Sequence, residues 1–96
     1  MSASLSTHVL DTGAGRPAAG VRVELRQGDA RTAVAETDGD GRARLADGLE
    51  PGVYALVFHP PSPFFRRVEL EIELSEGHHH VPLLISPFSC TSYRGS

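Results

Sequence analysis

Val68-Glu69-Leu70-Glu71-Ile72-Glu73-Leu74 alternates apolar and acidic residues without a break. In an extended chain successive side chains point to opposite faces, so Val68, Leu70, Ile72 and Leu74 read as buried and the glutamates between them as solvated. Ser75-Glu76-Gly77 then turns the chain. The next run, His78 to Ser86, alternates as well: Val81, Leu83 and Ile85 share one face, and His78, His80, Pro82 and Leu84 share the other. Such a strand covers a core with one side and shows titratable groups on its back. Ser86-Pro87 breaks it, because proline cannot donate to a ladder.

Toward the N-terminus, Pro60-Pro61-Ser62-Pro63 ends a strand over Val53–His59 that is apolar on both faces and so predicted central. Val21–Arg26 alternates cleanly, Arg31–Thr37 reads as a weaker edge strand, and Arg42–Leu45 as a short one. The first strand, Leu5–Asp11, sets Leu5, Thr7 and Val9 against His8 and Leu10. Asp11–Gly20, Gln27–Ala30, Asp38–Gly41 and Asp47–Gly52 read as loops or turns. Asp38 and Asp40 do not make a calcium loop, since Arg42 and Ala43 stand where an acid and a glycine are needed. No segment keeps a 3.6-residue apolar period, and turn signals recur about every ten residues. The prediction is an all-β, antiparallel sandwich of seven or eight strands without a helix, in one domain over residues 1–96.

Bulk properties narrow the function classes. Hydrophobic residues make up 40% and charged residues 22%, ordinary values for a globular domain. A net charge of -3 and no Lys/Arg cluster argue against nucleic acid, and no run reaches membrane-spanning length. The opening residues show no basic segment followed by an apolar one, so no secretory signal is expected. The single Cys90 cannot form an internal bridge; it reads as a small hydrophobe in a reducing, cytoplasmic setting. A chain this short gains from self-association.

Two resemblances follow. Residues 17–59, through Pro17-Ala18-Ala19-Gly20-Val21, Thr37-Asp38-Gly39-Asp40-Gly41-Arg42 and Leu49-Glu50-Pro51-Gly52-Val53-Tyr54, look like many prealbumin-like sandwiches, which speaks to fold alone. Leu5-Ser6-Thr7-His8-Val9-Leu10-Asp11-Thr12, Asp40-Gly41-Arg42, His80-Val81-Pro82-Leu83-Leu84-Ile85-Ser86-Pro87 and Tyr93-Arg94-Gly95-Ser96 resemble the 5-hydroxyisourate hydrolases, the transthyretin-related enzymes of purine breakdown. That resemblance runs end to end and implies a transthyretin-like fold and a homotetramer whose sheets face each other across a channel. It implies hydrolysis of 5-hydroxyisourate without cofactor or metal. It assigns His8, Arg42, His80 and Ser96 to catalysis, and His8, Arg42 and Tyr93 to substrate binding. Pro60–Phe65 joins two strands directly where relatives usually carry a short helix.

The chemistry is compatible with the residue types. Water attack on a ring carbonyl needs a base and a group to hold the developing oxyanion. Histidine, with an ordinary pKa of about 6.5, is largely neutral at pH 7. Arginine stays charged and offers a planar fork of donors. Residue type alone leaves open which of His8 and His80 is the base. His78, His80 and His8 could also form a three-nitrogen zinc set, a reading the resemblance does not require. His59, before Pro60, reads as structural. A non-catalytic carrier of an aromatic ligand and a structural β-module are the competing classes; the Tyr-Arg-Gly-Ser ending and the two histidines favour the enzyme.

Overall fold

The structure, a computed structural model, describes residues 1–95; the role expected of Ser96 lies outside the described residues. Every element among them is a strand: β1 (Ala3–Asp11), β2 (Arg16–Pro17), β3 (Arg22–Gln27), β4 (Ala30–Glu36), β5 (Arg42–Leu49), β6 (Gly52–His59), β7 (Val68–Leu74), β8 (Gly77–His80), β9 (Leu83–Ser86) and β10 (Ser89–Ser92). Two sheets pack face to face. One is the antiparallel set β4-β3-β6-β7; the other has β1 at its centre, with β5 and β2 on one flank and β8, β9 and then β10 on the other. With β8 and β9 taken as halves of one strand and the two-residue β2 left out, the strands number eight, as predicted.

The predicted inward rows form the core. Leu5 and Val9 of β1, Val23 and Leu25 of β3, Leu56 and Phe58 of β6, and Leu83 and Ile85 of β9 are all buried between the sheets. Burying one such side chain contributes about 1.5–3 kcal/mol relative to exposure. Those inward rows therefore fix which face of each strand looks inward, and the polar residues between them are turned out. Cys90 is half-buried and packs on this core.

Four local features depart from the expectation. β1 runs parallel, not antiparallel, to β8 and β9, a long-range crossover that alternation cannot reveal. Of the β7 row only Leu74 is buried; Val68, Leu70 and Ile72 are half-covered because β7 is a sheet edge. Asp47–Leu49, read as part of a turn, belongs to β5, which pairs with β1 through register shifts between Ala3 and Ser6. Finally, the C-terminal strand is interrupted at Val81-Pro82. Pro82 has no N–H to give; the buried Thr7 hydroxyl donates to the Val81 carbonyl at 2.6 Å, and Ser92 Oγ donates to the Pro82 carbonyl at 2.8 Å. The break leaves His78 and His80 on one short segment and Leu83 and Ile85 on the next.

Candidate active site

The outward row of β1 carries Ser4, Ser6 and His8, two residues apart and therefore on one face. Register supplies the flanks. On the parallel side Ser4 lies opposite His78 and Ser6 opposite His80; on the antiparallel side Ser6 lies opposite Arg44 and His8 opposite Arg42. Three strands thus contribute adjacent polar rows to an open pocket of about 480 Å³, lined chiefly by Ser6, His8, Arg42, Arg44, His78 and His80. Two ends of the sequence meet here because β1 and β8 pair.

The bend before β5 positions Arg42. Asp38 Oδ1 accepts the backbone N–H groups of Asp40 at 2.9 Å and Arg42 at 3.0 Å. Those two bonds, the Arg42 N–H first, hold the Asp38 carboxyl below its ordinary pKa. Gly41 sits at φ 77°, and a β-carbon there would collide with the Val9 carbonyl oxygen. The close approach lets the Val9 N–H donate to the Gly41 carbonyl at 2.7 Å, which ties the bend to β1. One residue earlier, the Asp40 carbonyl lies 2.8 Å from His8 Nε2. A carbonyl only accepts, so His8 carries its proton on Nε2 and leaves Nδ1 open.

His80 is held from the other side. Its Nδ1 bonds Ser6 Oγ at 2.9 Å, and its backbone carbonyl accepts the Gly95 N–H at 2.7 Å. The tail lies so close that a β-carbon on Gly95 would come within 2.8 Å of His80 Cδ2. Burial pushes the His80 pKa below 6.5, and the nearby His8, His78 and Arg42 lower it further. The carboxylates of this face are already engaged: Asp38 by backbone amides, Asp47 by a bidentate pair with Arg44. Among the described residues the Arg42 guanidinium belongs to no ion pair. The surface therefore offers a neutral imidazole, a second imidazole and an uncommitted cation, which suits it to a polar, electron-rich ring.

Of the residues singled out from the sequence, His8, Arg42 and His80 come together here. Tyr93 does not. It is exposed in a second groove with Leu70, Ile72, Leu74 and Arg94, at the open edge between β7 and β10. The position of a side chain after the last strand depends on the path of the tail, which alternation does not give. His59 is bound 2.7 Å from Glu24 on the outer face of the other sheet, the structural place expected of it. Ser6, Arg44 and the contacts of His78 were not anticipated; stepping by two from His8 and from Arg42 would have found the first two. His78 binds Ser4 and Ser6, and among the described residues no group of three or more His, Cys, Asp or Glu side chains is arranged to hold a metal ion.

Comparison with known proteins places the chain in a family. Residues 5–95 match the model of the HIUase/Transthyretin family. The chain is 44% identical to a 5-hydroxyisourate hydrolase of Deinococcus radiodurans over 96% of its own length and 95% of the relative's. Similarity to a 5-hydroxyisourate hydrolase of Caulobacter vibrioides is also 44%, covering 96% and 97%. Among solved structures, the 5-hydroxyisourate hydrolase of Klebsiella pneumoniae superposes with a TM-score of 0.89 at 34% identity, over 98% of this chain and 99% of that one. Sea bream transthyretin in complex with thyroxine superposes at 0.85 with 28% identity, over 95% and 93%. Family match, near-full-length identity and superposition coincide with a prealbumin-like sandwich, and the chain belongs to the HIUase/Transthyretin family.

Proposed function

We propose that this chain hydrolyses 5-hydroxyisourate to 2-oxo-4-hydroxy-4-carboxy-5-ureidoimidazoline in urate degradation. The observation that carries the reading is the meeting of His8, His80 and Arg42 in one open pocket, in a chain so similar to hydrolases of that substrate. His80 is the base. Its pKa is lowered, so it is neutral at pH 7, and Ser6 occupies Nδ1, which leaves Nε2 for water. Nε2 takes the water proton as the oxygen adds to the ring carbonyl carbon. The ring C–N bond then breaks, and the same proton passes to the departing nitrogen. Arg42 holds the carbonyl oxygen as it becomes an oxyanion; losing one such donor typically costs about 10²–10³-fold. His8, with Nδ1 open, accepts a ring N–H and orients the substrate.

Homotetramer formation is part of the proposal. Two sheet edges, β7 and β10, flank the groove that holds exposed Tyr93, and edge strands are commonly covered by a partner. In such an assembly Tyr93 reaches substrate across a subunit boundary. The lone, half-buried Cys90 accords with a cytoplasmic setting. No helix is long and apolar enough to cross a membrane among the described residues. The deciding experiment follows the ultraviolet decay of freshly generated hydroxyisourate with and without the protein, His8→Asn and His80→Asn beside it. Acceleration by the parent chain alone supports the assignment. Decay no faster than in buffer refutes the activity, and parent-like rates in both variants refute the histidine roles.

A further inference from the structure

Four side chains form a continuous hydrogen-bonded row across β1 and β8: Ser4 Oγ to His78 Nδ1 at 2.7 Å, His78 Nε2 to Ser6 Oγ at 2.9 Å, and Ser6 Oγ to His80 Nδ1 at 2.9 Å. Nothing in the reaction as described uses His78, yet both of its ring nitrogens are engaged. We propose that His78 is a positioning residue that acts through the Ser6 hydroxyl to set which nitrogen of His80 bears the proton, and that a proton on His78 turns the base off. The inference rests on the assignment of His80 as the base.

Hydrogen counting gives the coupling. Ser6 has one hydrogen to give, and its only side-chain hydrogen-bond partners among the described residues are two imidazole nitrogens, so a hydroxyl that uses its hydrogen donates to one and accepts from the other. If Ser6 donates to His78 Nε2, it accepts from His80 Nδ1–H; His80 Nε2 is then bare and can take a proton from water. If His78 Nε2–H donates to Ser6, the Ser6 hydrogen must turn to His80 Nδ1, and the His80 proton sits on Nε2, where the base is blocked. Neutral His78 allows both rows. Protonated His78 is a donor at both nitrogens and allows only the blocked one. The change balances as one proton taken from solvent by His78 and one moved on His80 from Nδ1 to Nε2. His78 is exposed and so exchanges protons with water freely.

The charged and titratable groups facing His78 among the described residues are Asp47 and Arg44 on β5, His8 on β1, His80 on its own strand, and Arg42 where β5 begins. A proton on either His78 or His80 leaves the base blocked. The acid limb of kcat/KM should therefore report two protonations, on His80 and on His78. A lone base would report one.

The test joins kinetics with spectroscopy. In the parent chain log kcat/KM should fall with a slope of two on the acid side. His78→Gln can give or accept toward Ser6 but cannot titrate; it should lower kcat three- to tenfold, hold KM, and reduce that slope to one. Ser6→Ala should lose about tenfold with a slope of one, adding His78→Gln should cost nothing more, and Ser6→Thr should restore the rate. Long-range ¹H–¹⁵N spectra of the His80 ring should show the proton moving to Nε2 as His78 titrates in the parent, and no such step in Ser6→Ala. A parent slope of one, or a His80 tautomer indifferent to position 78, overturns the proposal. Because the spectra need no turnover, they separate its failure from failure of the hydrolase assignment.

Discussion

The two sheets each turn histidine and arginine to the outside, with opposite results. On the β3/β6 face, Glu24 lies under its neighbours with 10% of its side chain accessible; it accepts from His59 at 2.7 Å and Arg26 at 3.2 Å, and has Arg22 at 3.9 Å. The His59 hydrogen bond, more than any other contact, pulls the Glu24 pKa down. On the β1/β5/β8 face, His80 has serine and three other cationizable groups around it and no carboxylate in contact, and its pKa falls because charge there is unwelcome. Histidine and arginine occur in both places. One cluster spends its charges on itself, and the other leaves them for a guest.

The sharpest way to break this contrast is to remove one guanidinium from each face. Arg42→Ala should lower kcat/KM about 10²–10³-fold, whereas Arg26→Ala should leave it within about twofold, since Arg26 lies on the other sheet and does not line the pocket. Steady-state kinetics on both variants checks this; equal losses would mean that the faces are not functionally distinct. Next in size is the bend that carries Arg42. Gly41→Ala forces a side chain into positive φ and against the Val9 carbonyl, which should cost at least about 1–2 kcal/mol in urea unfolding. A neutral result there would show that the bend can move away from β1.

Glu24→Gln should destabilise by about 1 kcal/mol, because a neutral amide replaces the buried carboxylate that accepts from His59 and Arg26, without changing kcat/KM in the folded fraction. The smallest effects are in pH, and the faces should again differ. Glu24 has a lowered folded pKa, so its contribution is present above the ordinary carboxylate value of 4.5 and is lost as pH falls through the folded one. His80 also has a lowered folded pKa, but it is a base. Below about 6.5 the unfolded chain binds a proton that the native chain resists, so stability declines from there and levels off beneath the folded value. Urea midpoints from pH 7 to 3 should resolve both steps; replacing Glu24 should diminish the lower one, to which Asp38 and Asp47 also contribute, and leave the upper one unchanged.

Much of this is legible in the sequence. Rows such as Val23-Leu25 and Leu83-Ile85 follow from period two and burial, and the same period puts His8 and His80 off the core. What escaped depends on distant partners. Ser4 and Ser6 are unremarkable until β8 lies beside them, the half-burial of Leu70 and Ile72 follows from their place at a sheet edge, and Tyr93 depends on the path of the tail. Residue type identified the chemical candidates, while pairing decided which of them share a surface.

The gap at Val81-Pro82 has a dynamic consequence. Because the ladder restarts there, the imidazole-bearing segment can detach and re-form on β1 without prying Leu83 or Ile85 out of the interior. Amide protons of residues 78–80 should then exchange with deuterium faster than those of 83–85, by local opening instead of global unfolding. His78 and His80 sit on one half of that strand, and the interior is anchored by the other.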